Sequence, residues 1–282
     1  MRPLRIKDKT FDITKTLVMG ALNLTPDSFY KKSRCCGTVD ESLFRIEQML
    51  SEGADIVDVG AESTRPGSVP VSEEEETNRL MPVLEKCAKE FPDIIFSVDT
   101  TKTSVAGRAL ENGAAMINDI SGLTFEDSIA NKVAEAGAAI VLSHTPARPC
   151  KMQKCADYEC VVTEVKEALN KSIDKATEAG VSAESIIVDP GIGFGKTGEQ
   201  NLEILNRLEE FSEVAAPVMV GTSRKSFIGV TLGGLPPEER LEGTAATVAI
   251  AVMKGASIVR VHDVKEMARV AKMSDAIKSG AT

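Results

Sequence analysis

Residues 52–68 read EGADIVDVGAESTRPGS, and their order decides the fold. A helical pattern over 39–51 runs into Gly53, a left-handed stop suited to the end of a helix. A short β-branched run follows over 55–59, and directly after it the chain turns polar. The same helix–Gly–strand sequence returns in NGAAMIN, AGAAIVL and KGASIVR.

Working outward, strands are predicted over 17–22, 55–59, 94–98, 115–118, 139–142, 185–188, 217–220 and 257–261. Helical patterns follow each one, over 39–51, 72–90, 102–112, 127–136, 158–179, 200–210, 238–254 and 264–278. Strand and helix alternating at this spacing demand a parallel sheet. Eight units without a composition break predict a (β/α)8 TIM barrel spanning 1–282 as one domain.

Composition sets the limits. A net charge of −9 over 282 residues argues against nucleic acid as the main partner. No apolar run has the roughly 18 residues of a membrane span. The N-terminus lacks the apolar core of a signal peptide, so the expected location is the cytoplasm. Six cysteines are expected as reduced thiols; Cys150, Cys155 and Cys160 lie in or just after one loop at a spacing unlike the common zinc motifs.

All eight strand ends are polar: NLTPDSF, GAESTRPGS, DTTK, NDIS, SHTPARP, DPGIGFGKT, GTSRKSF and RVHD. In a barrel of this kind those ends carry the chemistry. DPGIGFGKT imitates two nucleotide motifs without being either. A phosphate loop needs Gly where Pro190 stands, and a dinucleotide fingerprint belongs after the first strand of its unit. Its glycines are expected to let backbone approach a flat ligand.

Three groups of residues emerge. Asp99, Asn118 and Asp189, with Lys225 and Arg260, suit a heterocycle rich in N–H donors, since one carboxylate accepts two donors at once. Buried ion pairs such as Asp189–Lys225 are the plain alternative. Asn23, Arg65, Arg260 and His262 suit a phosphate or pyrophosphate, with a metal through Asn23. Residues 223–227, SRKSF, suit a small aromatic carboxylate; the alternative there is a helix cap by Ser223 or Ser226.

Seven motifs in order carry a resemblance to a known family: MGALNLTPDSF, GADIVDVGAESTRPGS, SVDTTK, INDISG, VDPGIGFGKT, VGTSRKSFIG and IVRVHDV. The chain resembles the dihydropteroate synthases of the pterin-binding barrel family. The resemblance implies a transferase of folate biosynthesis, a sulfonamide target, Mg2+-dependent and homodimeric. Its substrates would be 6-hydroxymethyl-7,8-dihydropterin pyrophosphate and p-aminobenzoate. It implies a pterin pocket of Asp99, Asn118, Asp189, Gly221, Lys225 and Arg260. It implies a pyrophosphate site of Asn23, Thr64, Arg65, Arg260 and His262, with Mg2+ near Asn23. Phe194, Lys225, Ser226, Pro66 and Phe29 would surround p-aminobenzoate. Asp99, Lys225 and Arg260 are the residues expected to act in catalysis.

Two loops depart from the family pattern. After Phe29 the chain reads YKKSRCCG, with Lys31 or its neighbours where an acidic residue is expected. After the fifth strand SHTPARPCKMQ replaces the usual His-Met-Gly, and Thr145 takes the place of the Met. Two other readings compete: a catalytically silent pterin-binding paralogue, and a methyltetrahydrofolate–corrinoid methyltransferase. SRKSF and RVH speak against the second.

Overall fold

Eight parallel strands form the wall of a barrel, as the repeated units require: β3 (Leu17–Asn23), β4 (Ile56–Gly60), β5 (Ile95–Asp99), β6 (Met116–Asp119), β7 (Ala139–Ser143), β8 (Ile186–Asp189), β9 (Met219–Val220) and β10 (Ile258–Val261). The computed structural model describes residues 3–25, 38–214 and 216–280. The strands are ordered β8-β7-β6-β5-β4-β3-β10-β9, and a parallel bridge between Val188 and Val218 brings the two ends together.

Helices α1 (Val39–Ser51), α2 (Glu73–Glu90), α3 (Thr103–Glu111), α4 (Ile129–Glu135), α5 (Val161–Glu178), α6 (Gly198–Asn206), α8 (Leu241–Met253) and α9 (Val264–Ser279) cover the outside. Local chemistry sets several starts. Ser72 accepts from the Glu75 amide at 3.1 Å ahead of an acidic first turn. Thr197 and Gln200 form a reciprocal capping box on α6. Gly53 and Gly255, at φ +104° and +100°, are the left-handed stops expected before β4 and β10.

Side chains alternate in and out along each strand. The outward set packs against the helices, for example Val57, Val98 and Ile117 against Leu80, Leu84 and Val105. The inward set begins apolar, with Met19, Ile56, Ile95, Met116, Ile187, Met219 and Ile258 in one cluster. Two residues further along, the inward positions become Asp58, Ser97, Asn118, Asp189, Gly221 and Arg260. A greasy floor therefore carries a polar mouth.

Two features were not anticipated. Leu4–Ile6 (β1) and Lys9–Phe11 (β2) form an antiparallel hairpin, and Leu4, Ile6 and Ile13 join the apolar floor cluster. After β9 a short helix, α7 (Ser226–Thr231), precedes α8. The helix expected over 238–254 starts only at Leu241, because Pro237–Glu239 form a 3-10 turn. That expected over 200–210 ends at Asn206 and passes into a 3-10 turn, Leu208–Glu213.

Candidate active site

The polar strand ends enclose a cleft of about 410 Å3. Asn23, Thr64, Arg65, Pro66, Asp99, Asn118, Asp189, Phe194, Gly221, Lys225, Ser226, Arg260 and His262 all line it. Of the site residues expected from the sequence, Phe29 alone is missing from this lining, and it lies outside the described residues, as do Lys31, Cys35 and Cys36.

Register explains one wall. Asp99 of β5 pairs directly with Asn118 of β6, and both point inward beside Arg260 of β10. Arg260 donates through its second terminal nitrogen to Asp99 Oδ2 at 3.0 Å and through Nε to Asp58 Oδ2 at 2.7 Å. Asn118 Nδ2 donates to the same Asp58 oxygen at 3.1 Å. The Asn118 side-chain oxygen, buried, has no hydrogen-bond partner among the described residues. Burial raises the Asp99 carboxyl above its usual range, and Arg260 opposes that shift. Asp189 is raised by burial too, against the pull of Lys225; its Oδ1 accepts from the Gly191 amide at 2.7 Å.

Asp58 was missed in the sequence. It is wholly buried one layer below Asp99 and orients both Arg260 and Asn118. The signal was present: an acid inside the apolar run IVDV needs a buried partner.

The opposite wall comes from β8 and β9. Lys225 and Asp189 make no ion pair; the Lys225 ammonium donates instead to the Ile192 carbonyl and lies 4.4 Å from the Phe194 ring centroid. Burial pushes Lys225 down to about 8. Neither Ser223 nor Ser226 caps α7: the Ser223 hydroxyl meets His262 Nδ1 at 2.9 Å instead. That contact leaves Nε2 as the ring nitrogen for a ligand. Burial, reinforced by Arg260, takes His262 down to about 3, so without a ligand the imidazole is neutral at neutral pH.

The phosphate-loop imitation has a packing explanation. Lys196 does not line the cleft. Its ammonium, pushed down to about 7 by burial, holds the carbonyls of Gly191 at 2.9 Å and Phe194 at 3.1 Å. Gly193 lines the cleft, but Gly191 and Gly195 make room for protein: a Cβ on them would lie 1.9 Å from the His144 carbonyl oxygen and 2.3 Å from Pro146. In the unusual loop after β7, Thr145 is buried and donates to the Ala147 carbonyl at 2.9 Å. Cys150 and Cys155 are exposed free thiols.

A barrel mouth that pairs buried carboxylates with an amide, beside a cationic rim, suits a donor-rich ring bearing an anion. The model of the family described as pterin binding enzyme matches residues 19–262, and the chain belongs to that family. Within it, the dihydropteroate synthase of Bacillus subtilis is 48% identical over 263 residues, covering 93% of this chain and 89% of its own. A Yersinia pestis dihydropteroate synthase, solved with a sulfonamide drug, superposes at a TM-score of 0.93 with 38% identity, covering 98% of this chain and 99% of its own. The Thermus thermophilus enzyme, solved with 4-aminobenzoate, reaches 0.87 with 41% identity, covering 98% and 100%.

Proposed function

We infer that the protein is a transferase with dihydropteroate synthase activity. It joins 6-hydroxymethyl-7,8-dihydropterin pyrophosphate to p-aminobenzoate and releases 7,8-dihydropteroate and pyrophosphate. The observation that carries the assignment is the division of one cleft into three chemistries by residues from separate strand ends.

In this reading Asp189 and the Asn118 oxygen accept the ring N–H and amino donors of the pterin, beside Gly221. Lys225 donates to the ring carbonyl and Arg260 lies against the ring. Thr64, Arg65, Arg260 and His262 hold the pyrophosphate as its C–O bond breaks. Positive charge then appears on the ring-bound methylene, where Asp99 is placed to stabilise it. Phe194, Pro66 and Ser226 hold p-aminobenzoate, together with Phe29. Its neutral amine forms the C–N bond and gives up one proton, so orientation supplies much of the rate. A sulfonamide would compete for that groove.

The donor set fits Mg2+ as an ion shared with substrate. Asn23, which carries a hard amide oxygen, lines the cleft, and no group of three or more His, Cys, Asp or Glu could hold a metal alone among the described residues. Phosphate oxygens and water would complete the shell. When bound, the ion would neutralise charge on the departing pyrophosphate.

We also place the protein in the cytoplasm as a homodimer. Free thiols at Cys87, Cys150, Cys155 and Cys160 fit a reducing compartment. Val230, Ile250, Met253, Met273 and Ile277 leave exposed apolar surface near the C-terminal helices, which supports self-association. No helix among the described residues is long and apolar enough to cross a membrane.

The test is pyrophosphate release on mixing the two substrates, repeated with Asp99→Asn and Lys225→Ala. Release by the wild type and losses of about a hundredfold in both variants are expected. No release by the wild type would leave a silent binding paralogue; full rates in both variants would overturn the site roles.

A further inference from the structure

We propose that Lys102 is a positioning residue, fixing the loop 61–72 that carries Thr64, Arg65 and Pro66 against the strand end that carries Asp99. The inference rests on the dihydropteroate synthase reading and deepens it, since neither that reading nor the cleft lining includes Lys102.

The geometry is a three-way tie. Lys102 follows the end of β5 and is the N-cap residue of α3. Its ammonium reaches Glu62 Oε2 at 2.5 Å and Glu76 Oε2 at 2.5 Å. Glu76 belongs to α2 and is 1% exposed, so one end of the tie is anchored in the barrel shell. Glu62 immediately precedes Ser63, Thr64, Arg65 and Pro66, all of which line the cleft. The same Glu62 oxygen accepts from the Val71 amide at 3.1 Å, which draws the two ends of the loop together.

Between those ends the loop has its own turn. Ser68 Oγ donates to the Ser63 carbonyl at 2.6 Å, and the Ser68 amide to the Arg65 carbonyl at 3.0 Å. A second strap comes from the loop after β7: the Gly67 amide donates to the Pro149 carbonyl at 3.0 Å. The loop is thus tied at its base by Lys102 and at its tip by Pro149.

Its position matters because the site is split across it. The ring side of the cleft, Asp99 and Asn118, is built on strands. Arg65 and Pro66, on the anion and acceptor side, ride on the loop. The two must meet within about an ångström for the amine to face the reacting methylene. Stability alone is a poor reason for this arrangement, since well-packed apolar residues often hold elements together as well as a buried ion pair does. An ammonium shared by two carboxylates adds direction.

Purified full-length Lys102→Met, Lys102→Arg and Glu62→Gln test the proposal. Each is assayed for KM of both substrates and for the affinity of a pterin lacking the pyrophosphate. Amide hydrogen exchange over residues 61–72 is followed without substrate. Because Lys102→Met leaves Glu76 buried and unpaired, Lys102→Met/Glu76→Gln is run beside it, removing that charge while keeping the tie broken. In the double variant KM for p-aminobenzoate should rise about tenfold and loop exchange should quicken. Affinity for the bare pterin should stay within about twofold, and Lys102→Arg should recover most of the loss. A folded double variant with KM values and loop exchange like the wild type overturns the proposal. So does a parallel loss of pterin affinity, the mark of general damage. Should the wild type release no pyrophosphate, the activity assignment fails, while loop exchange still decides whether Lys102 holds the loop.

Discussion

Arg260 and Asp58 meet inside the barrel, with the guanidinium Nε donating to the carboxylate at 2.7 Å across a sequence separation of 202 residues. Asp58 is completely buried, whereas Arg260 retains some exposure toward the cleft. The acid is therefore the fixed partner, and it sets the plane in which the guanidinium meets Asp99 and a ligand. Asp58→Ala would leave Arg260 with Asp99 alone and Asn118 Nδ2 without its acceptor. We expect a loss of about 3 kcal/mol in denaturant unfolding and a larger fractional loss in turnover. Asp58→Asn, which keeps an acceptor oxygen, should lose less stability. Equal unfolding midpoints for Asp58→Ala and wild type would refute this account.

The proposed role of Lys225 predicts a reaction sensitive to alkali. Burial takes it from 10.5 down to about 8, with Asp189 pulling the other way and Arg260 adding to the shift. If Lys225 donates to substrate as proposed, its ammonium is lost as pH rises through about 8, and kcat/KM should fall there. Stability moves oppositely. Between about 8 and 10.5 the unfolded lysine binds a proton that the folded one does not, so this group contributes increasing stability as pH rises across that window. Lys225→Arg, whatever its rate, should lack the inflection near 8; an unchanged pH–rate profile would show that another group titrates.

Arg224 lines the cleft and braces it. Its guanidinium grips Asp263 at 2.7 and 2.9 Å and reaches the Pro237 and Glu238 carbonyls at 2.6 and 3.0 Å. It adjoins Lys225, and Asp263 adjoins His262, so one buried fork ties two walls of the cleft. Arg224→Ala should cost about 3–5 kcal/mol by breaking a buried pair. Arg224→Lys should recover only part of this, because an ammonium cannot reproduce the planar fork. Thermal melts of the three proteins give the comparison; indistinguishable melts would contradict it.

Two glycines with positive φ should respond differently to alanine. At Gly195 a Cβ would meet Pro146 at 2.3 Å and the Met152 carbonyl at 2.9 Å, where φ is +57°. Strain and collision together predict a loss of at least about 2 kcal/mol, with a raised KM for p-aminobenzoate through Phe194. At Gly67, φ is +82° but nothing lies within 4 Å, so only backbone strain of about 1 kcal/mol applies. Equal losses in urea unfolding would refute the packing account.

The proposed shared metal gives a prediction for Asn23→Ala. With one fewer oxygen ligand, the Mg2+ concentration for half-maximal pyrophosphate release should rise about tenfold. The affinity of a pterin without pyrophosphate should not move. An unchanged Mg2+ requirement would remove Asn23 from the metal's shell.

The barrel was legible because each of its units is local. A strand such as 55–59 is bounded by its own Gly stop and its own polar end, and side-chain alternation decides which residues face inward. That is why Asp99, Asn118, Asp189 and Arg260 were readable as neighbours around one mouth. Tertiary structure alone decided which of them touch. Asp58 looked like one acid in an apolar run until Arg260 and Asn118 closed on it. Pro190 already ruled out a phosphate loop in the sequence, but only the fold showed that Lys196 turns onto Gly191 and Phe194. Lys102 had no visible role until Glu62 and Glu76 converged on it. The β1–β2 hairpin and the Gly67–Pro149 strap belong with these. Periodicity is written along the chain within a few residues, whereas a buried charge chooses its partner across the barrel, where distance is set only once the wall has closed.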